Sequence, residues 1–147
     1  MKDEFSHSLC YCDTNIFVYM HDDKEREKRE ISNLLYKSLL QTGNGRISVQ
    51  VISEWRNTMI KKFSHFVSND VRRKFIRILE VLKPLAITPA IILKADELCD
   101  SYSFSPYDAI HVQSALEQNC QYFLSEDMQD GLVVQETLTI RNPYKRK

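Results

Sequence analysis

The sequence contains few glycines and prolines and has no long apolar run, which excludes several classes of protein. Its 147 residues include only three glycines and four prolines, too few for a disordered chain or for a sandwich of many tight turns. No apolar run approaches the roughly 20 residues of a membrane span, and no signal-peptide segment follows the charged start at residues 1–4. We therefore expect a cytoplasmic protein with no membrane association.

Net charge and abundant cysteine are also missing. The 20 lysines and arginines balance 20 aspartates and glutamates, so no field of the whole molecule attracts nucleic acid. Cys10 and Cys12, two of four cysteines, are separated by one residue, whereas zinc sites use wider spacings. We interpret them as free, buried thiols, which suits the cytosol, although a metal role stays an alternative.

The length and the apolar content of 43 % are those of one domain with an ordinary core. A chain of this size buries about 68–70 % of the surface of its unfolded form, so it needs no disulfide or structural metal. We expect a single domain over residues 1–147, with its core over about 9–140 and a basic tail over 141–147.

Short apolar runs alternate with helical patterns along the chain. The predicted strands cover residues 8–12, 46–49, 85–87, 122–124 and 137–140. The predicted helices cover residues 16–19, 24–41, 50–66, 69–82, 88–99 and 105–119. This order implies right-handed crossovers and an α/β fold, a three-layer α/β/α sandwich with a short, mostly parallel central sheet.

Four acids lie where such a fold collects its ligands, at the carboxyl ends of the strands. They follow predicted strands directly or within the next helix, and they are Asp13, Glu54, Asp108 and Asp127. Gathered there, they would repel one another unless a hard divalent cation bound between them. Mg²⁺ or Mn²⁺ held by carboxylates is the usual arrangement for attack on a phosphodiester.

Taken singly, these acids also have structural interpretations. Asp13 is placed to cap a helix, and Asp108 lies in a first helical turn, where the helix dipole favours acids. Glu54 is harder to explain in this way, because it interrupts the apolar residues Val51, Ile52 and Trp55. The joint pattern of the four acids therefore favours a metal site.

The segments around these acids resemble the four acidic motifs of PIN domains, and most closely those of VapC-type toxins from bacterial toxin–antitoxin pairs. The segments are Cys12-Asp13-Thr14-Asn15-Ile16-Phe17-Val18-Tyr19, Val51-Ile52-Ser53-Glu54-Trp55, Ser105-Pro106-Tyr107-Asp108-Ala109-Ile110 and Leu124-Ser125-Glu126-Asp127-Met128-Gln129-Asp130-Gly131. They occur in the family's order, and the resemblance extends from about residue 9 to residue 140. It implies an endoribonuclease that uses Mg²⁺, with Mn²⁺ as a substitute, and cuts single-stranded or looped RNA.

The resemblance also implies partners and roles. A free toxin of this kind inhibits translation, a cognate antitoxin neutralises it, and dimers or larger complexes with the antitoxin are common. Asp13 and Asp108 would be the principal metal ligands, and Glu54 and Asp127 would complete the quartet. Ser125 would orient a quartet carboxylate, with Asp13 favoured. The neighbouring acids Glu126 and Asp130 leave open which acid of the fourth motif reaches the metal.

Basic residues supply candidates for phosphate contacts. They lie on two predicted helices and are Arg56, Lys61, Lys62, Arg72, Arg73 and Lys74. For each of them a solvated helix face is an equally good interpretation. Without the four site acids, 16 acids remain against 20 bases, so a neutral chain is compatible with an RNA substrate once metal is bound.

Two further side chains receive structural interpretations. His111 shares a helix face with Asp108, and we interpret it as a packed, hydrogen-bonded core residue. Trp55 would stack on a base or lie in the core or a dimer interface, and the apolar stripe around it favours the latter two.

Other function classes fit the sequence less well. A phosphotransferase of the haloacid dehalogenase type needs an Asp-x-Asp motif, but Thr14 and Asn15 follow Asp13. A response-regulator receiver needs an acidic pair at the first strand and a later lysine, and neither is evident. A catalytically inactive PIN-like module that binds RNA or protein is the remaining alternative.

Overall fold

The computed structural model describes Phe5 and residues 7–145. The strands are β1 Cys10–Cys12, β2 Gly45–Arg46, β3 Tyr122–Leu124, β4 Val133–Val134 and β5 Leu138–Arg141. The helices are α1 Thr14–Tyr19, α2 Arg26–Thr42, α3 Val49–Lys62, α4 Asn69–Leu79, α5 Pro89–Tyr102 and α6 Pro106–Glu117. A short 3₁₀ helix, Glu80–Leu82, follows α4.

The five strands form one mixed sheet in the order β2-β1-β3-β5-β4. The pairs β1–β2, β1–β3 and β3–β5 are parallel, and only β4 runs antiparallel to its neighbour β5. Helices flank the sheet, so the predicted α/β fold with a mostly parallel central sheet is confirmed. The parallel strands β1 and β3 consequently present their carboxyl ends at the same edge of the sheet.

Two predictions about strands are wrong. Residues 85–87 form no strand, because Leu85 makes only an isolated bridge with Ser48 before the next helix begins at Pro89. Conversely, β4 was not predicted, because two valines are too short a segment to show the alternation of apolar and polar residues that indicates a strand. Both errors concern very short segments, since Leu85 forms one bridge and β4 pairs with β5 through only two residues.

Helix starts follow their sequence signals closely. Thr88 and Ser105 accept hydrogen bonds from the backbone N–H groups of Ile91 and Asp108, and a proline follows each of these caps. Gly43 ends α2 in the left-handed conformation, with φ of 73°. No helix in the described part of the chain is long and apolar enough to span a membrane.

The core lies on both sides of β1. Tyr11 at the centre of this strand is fully buried, and its ring stacks on that of Phe123 in β3 with the centroids 5.1 Å apart. Trp55 of α3 is also fully buried, and its ring centroid lies 4.7 Å from that of Phe75 in α4. Trp55 is therefore a core residue and is not available to stack on a base.

We predict that Gly45→Ala destabilises the fold. A Cβ atom at Gly45 would lie 2.8 Å from Cδ2 of Leu82 and 3.2 Å from Cβ of Leu39, so the packing of β2 on α2 must shift. We expect the free energy of unfolding in urea to fall by about 1–3 kcal/mol.

Gly43→Asn is the matched control, because Gly43 has open space around it and asparagine tolerates its left-handed conformation. We expect it to cost less than about 1 kcal/mol. Equal losses for the two variants would contradict the steric explanation.

Candidate metal centre

Asp13 is fixed at the carboxyl end of β1 by both of its carboxylate oxygens. Its Oδ1 accepts the backbone N–H of Thr14 at 2.8 Å, which caps α1. Its Oδ2 accepts a hydrogen bond from Oγ of Ser125 at 2.8 Å. The backbone N–H of Asp13 also donates to the carbonyl of Leu124 at 3.1 Å, so the residue stays tied to the end of β3.

Glu54, in the second turn of α3, accepts three hydrogen bonds. Its Oε1 receives one from Oγ1 of Thr14 at 2.6 Å and one from Nε2 of His111 at 2.8 Å. Its Oε2 receives one from Nε2 of Gln50 at 2.8 Å. The same Gln50 amide donates to the carbonyl of Tyr107 at 3.3 Å, which joins α3 to the start of α6.

His111 completes the closest cluster of ligand atoms. Its imidazole is buried, as interpreted from the sequence, but Nε2 lies 3.9 Å from Oδ1 of Asp13 as well as 2.8 Å from Glu54. One ligand atom from each of these three residues lies within 4.8 Å of the others. The sequence analysis missed this contact, although the spacing of three residues from Asp108 indicated a shared helix face.

The other two predicted acids flank this cluster. Asp108 lies one turn before His111 on α6, and the described part of the chain gives its carboxylate no hydrogen bond or ion pair. Asp127 is exposed, and its Oδ2 accepts a hydrogen bond from Nδ2 of Asn15 at 2.8 Å. The backbone N–H of Asp127 donates to Oγ of Ser125 at 3.3 Å, so this serine links Asp127 to Asp13.

The two acids that neighbour Asp127 are held by other partners. Glu126 forms an ion pair with Nζ of Lys28 at 2.5 Å and accepts a hydrogen bond from Oη of Tyr19.

Asp130 accepts the backbone N–H of Asn142 at 2.8 Å and lies 3.6 Å from Nζ of Lys145. These contacts engage both carboxylates with the segments beside the fourth motif.

The charges of the cluster perturb its ionisation. Burial alone would raise the pKa of Glu54, but the hydrogen bond and positive charge of His111, with the other two donors, lower it to about 2. Burial likewise disfavours the charged form of His111, yet the bond to Glu54 and the charges of Asp13 and Asp108 raise the pKa of His111. Glu54 and His111 therefore form an ion pair in which the imidazole is buried and the carboxylate is partly exposed.

The burial of Asp13 is offset by its neighbours less completely than that of Glu54. Burial raises its pKa, and the hydrogen bonds from Ser125 and Thr14 and the charge of His111 offset this effect only in part. A cation beside Asp13 would remove the cost of ionising this carboxyl group.

The donor atoms fit a hard divalent cation. Each carboxylate oxygen of Asp13 accepts one hydrogen bond and keeps a second lone pair for an ion. Oε2 of Glu54 likewise accepts one hydrogen bond and keeps a second lone pair. Carboxylate oxygens are the ligands that Mg²⁺ and Mn²⁺ prefer. Both ring nitrogens of His111 have hydrogen-bond partners, so it supports the site rather than binding the ion.

The basic residues lie on two helices. Lys61 is seven residues after Glu54 on α3, on the same face and about 10 Å along the axis. Arg56 is two residues after Glu54, so it lies about 200° around the helix, on another face.

The other basic candidates end α3 or lie on α4, and they are Lys62, Arg72, Arg73 and Lys74. Among these, Arg72 donates to the side chain of Asn69 at 2.9 Å.

Comparison with known proteins finds one matching family and similar solved structures. The family model described as "PIN domain" matches residues 10–129, a segment that contains the four acids. A solved structure titled "Toxin-antitoxin complex from Klebsiella pneumoniae" includes a similar chain, with a TM-score of 0.65 and 17 % identity. The match covers 93 % of this chain and 99 % of that chain, and at this identity it shows a shared fold. No curated protein matches the sequence.

We predict that Mg²⁺ and Mn²⁺ stabilise the folded protein through Asp13. An ion that binds only the folded chain at 100 times its Kd adds about 2.7 kcal/mol to the free energy of unfolding. Thermal and urea unfolding with and without EDTA measure this gain, and we expect Asp13→Asn to abolish it.

The control is Asp96→Asn, which changes an exposed acid on α5 and should keep the full gain. The same gain in Asp13→Asn as in the unaltered chain would exclude Asp13 as a ligand.

Proposed function

Since the chain belongs to the PIN domain family, we propose that it is a metal-dependent endoribonuclease and the toxin of a toxin–antitoxin pair. The observation that carries the nuclease activity is the cluster of Asp13 and Glu54 beside His111, with Asp108 one helical turn away. Partly buried carboxylates that lie close together suit a divalent cation, and such ions serve phosphodiester hydrolysis.

The acids have different roles in this proposal. Asp13 and Asp108 hold the ion, since each oxygen of Asp13 accepts only one hydrogen bond and the carboxylate of Asp108 accepts none among the described residues. Glu54 and Asp127 complete the quartet by binding a second ion or orienting the attacking water. A bound Mg²⁺ or Mn²⁺ lowers the pKa of its water and neutralises charge on the phosphate. Cleavage then leaves a 5′-phosphate and a 3′-hydroxyl.

Within the fourth motif, Asp127 is the acid that we assign to the site. Glu126 already compensates Lys28, and Asp130 binds the backbone of Asn142. Asp127 is instead connected to Asp13 through Ser125. Asn15 bonds only to Oδ2 of Asp127, which leaves Oδ1 of this carboxylate for the site.

The substrate that we propose is single-stranded or looped RNA. Lys61 follows Glu54 on the same face of α3 and would meet a phosphate one or two nucleotides from the cleaved bond. Lys62, Arg72, Arg73 and Lys74 would add weaker contacts along the strand, whereas Arg56 lies on another face of its helix. Release of bound counterions would make this binding sensitive to salt.

The proposed partner is an antitoxin protein, and the proposed location is the cytoplasm. The similar chain comes from a solved toxin-antitoxin complex, which supports this assignment through the shared fold. We further propose a homodimer, or a larger complex with the antitoxin, as in related toxins. A small gene directly upstream whose product copurifies with this protein and restores growth would support the pairing.

We predict that Asp13→Asn and Asp108→Asn each lower RNA cleavage by about 100-fold or more, because each removes a charged ligand of the ion. Cleavage of a labelled RNA with Mg²⁺ or Mn²⁺ measures this loss, and expression in cells should no longer inhibit growth. Circular dichroism checks that both variants fold. Undiminished cleavage in both variants would refute the site, and absence of cleavage by the unaltered protein would favour an inactive binding module.

We also predict a difference among the acids of the fourth motif. Asp127→Asn should lower cleavage by about 10-fold or more, because it removes a carboxylate beside the ion. Asp130→Asn should keep cleavage within about twofold while lowering stability by about 1 kcal/mol, because it weakens the bond to Asn142 and removes the ion pairs with Arg141 and Lys145. Both rates are measured on the same RNA, and the reverse order would assign Asp130 to the site.

A further inference from the structure

A series of buried polar side chains lies behind the acids, and two of its members have no part in the roles assigned so far. It consists of Ser48, Tyr11 and His111, whose side chains are almost wholly inaccessible to solvent. Oη of Tyr11 lies 2.8 Å from Oγ of Ser48 and 2.8 Å from Nδ1 of His111. Nε2 of His111 in turn donates to Glu54, so four residues from three parts of the sequence form one hydrogen-bonded series.

Packing does not explain the hydroxyl of Tyr11. The ring of Tyr11 stacks on Phe123 in the centre of the sheet, and a phenylalanine would fill the same space. Burying a hydroxyl group has a cost that its hydrogen bonds only offset, and an apolar replacement of both partners is often neutral. The hydroxyl therefore has a role that depends on its two partners, Ser48 and His111.

That role is to fix the orientation of the imidazole. Ionised Glu54 only accepts hydrogen bonds, so Nε2 of His111 carries a proton and donates it. Rotation of the ring by 180° would place carbon atoms where Nδ1 meets Tyr11 and Nε2 meets Glu54. Both hydrogen bonds would be lost, and consequently the hydroxyl of Tyr11 holds the one orientation in which His111 serves Glu54.

The orientation of His111 in turn determines which oxygen of Glu54 is available. Oε1 accepts from both His111 and Thr14, which occupies its two lone pairs. Oε2 accepts only from Gln50 among the contacts of the described residues, and so it keeps a lone pair.

We propose that Ser48 and Tyr11 are positioning residues that lock His111, and that His111 thereby presents Oε2 of Glu54 to the ion or its bound water. This assignment rests on the proposed metal-dependent activity, because it concerns how the same site is held. It predicts that a hydroxyl in the middle of the sheet, which touches neither ion nor RNA, affects metal affinity.

The test compares two buried tyrosines. Tyr11→Phe removes only Oη, and we expect the affinity for Mn²⁺, measured by titration calorimetry, to fall about 10-fold. Tyr36→Phe is the matched control, because Oη of Tyr36 is buried and has no hydrogen-bond partner among the described residues. We expect Tyr36→Phe to bind Mn²⁺ like the unaltered protein.

A second measurement needs no variant and covers the case in which Tyr11→Phe does not fold. Nitrogen NMR of the imidazole rings in the unaltered protein should show that saturating Mg²⁺ shifts the resonances of His111 and leaves those of His21 and His65 in place. His111→Gln assigns the signal.

The outcomes separate this inference from the proposed function. Equal Mn²⁺ affinity in Tyr11→Phe and the unaltered protein, or His111 resonances that Mg²⁺ does not move, would overturn the positioning role while RNA cleavage still stood. An unaltered protein that neither binds Mn²⁺ nor cleaves RNA would overturn both.

Discussion

Repulsion between two partly buried carboxylates is the constraint on which the rest of the site depends. Ligand atoms of Asp13 and Glu54 lie within 4.8 Å of each other. At an effective dielectric constant of about 20, two unit charges at that separation repel by about 3 kcal/mol. The chain offsets this cost with five hydrogen bonds to the two acids, one of which comes from the imidazole of His111. The carboxylates therefore keep their positions before an ion arrives.

The fold delivers these donors because its elements meet at one edge of the sheet. The strands β1 and β3 are parallel and end together, and the helices α1, α3 and α6 begin near those ends. Helix starts carry partial positive charge, which also favours acids there. The donors consequently come from several elements, and a change in the packing of any one of them would alter the geometry of the acids.

The sequence predicted the fold class and most elements, because apolar periods and caps are local features. Pro89 and Pro106 marked helix starts correctly, whereas residues 85–87 looked like a strand but form a single bridge. The same limit applies to the site. The sequence placed four acids at strand ends, and the structure brings Asp13 and Glu54 into the closest cluster, but with His111 as its third member. His111 lay beside an apolar stripe and gave no sign of its partner 57 residues away.

The sequence by itself determined the α/β order, the family, and the acids that end up at one edge of the sheet. Those properties follow from side chains a few residues apart. Tertiary structure alone decided which atoms meet: Ser125 with Asp13, Tyr11 with His111, and Lys28 with Glu126. These contacts join residues about 100 positions apart, and the hydrophobic periods and motif spacings of a sequence do not extend over such distances. Their geometry arises only when strands pair and helices pack, because hydrogen bonds require separations near 3 Å that local patterns cannot specify.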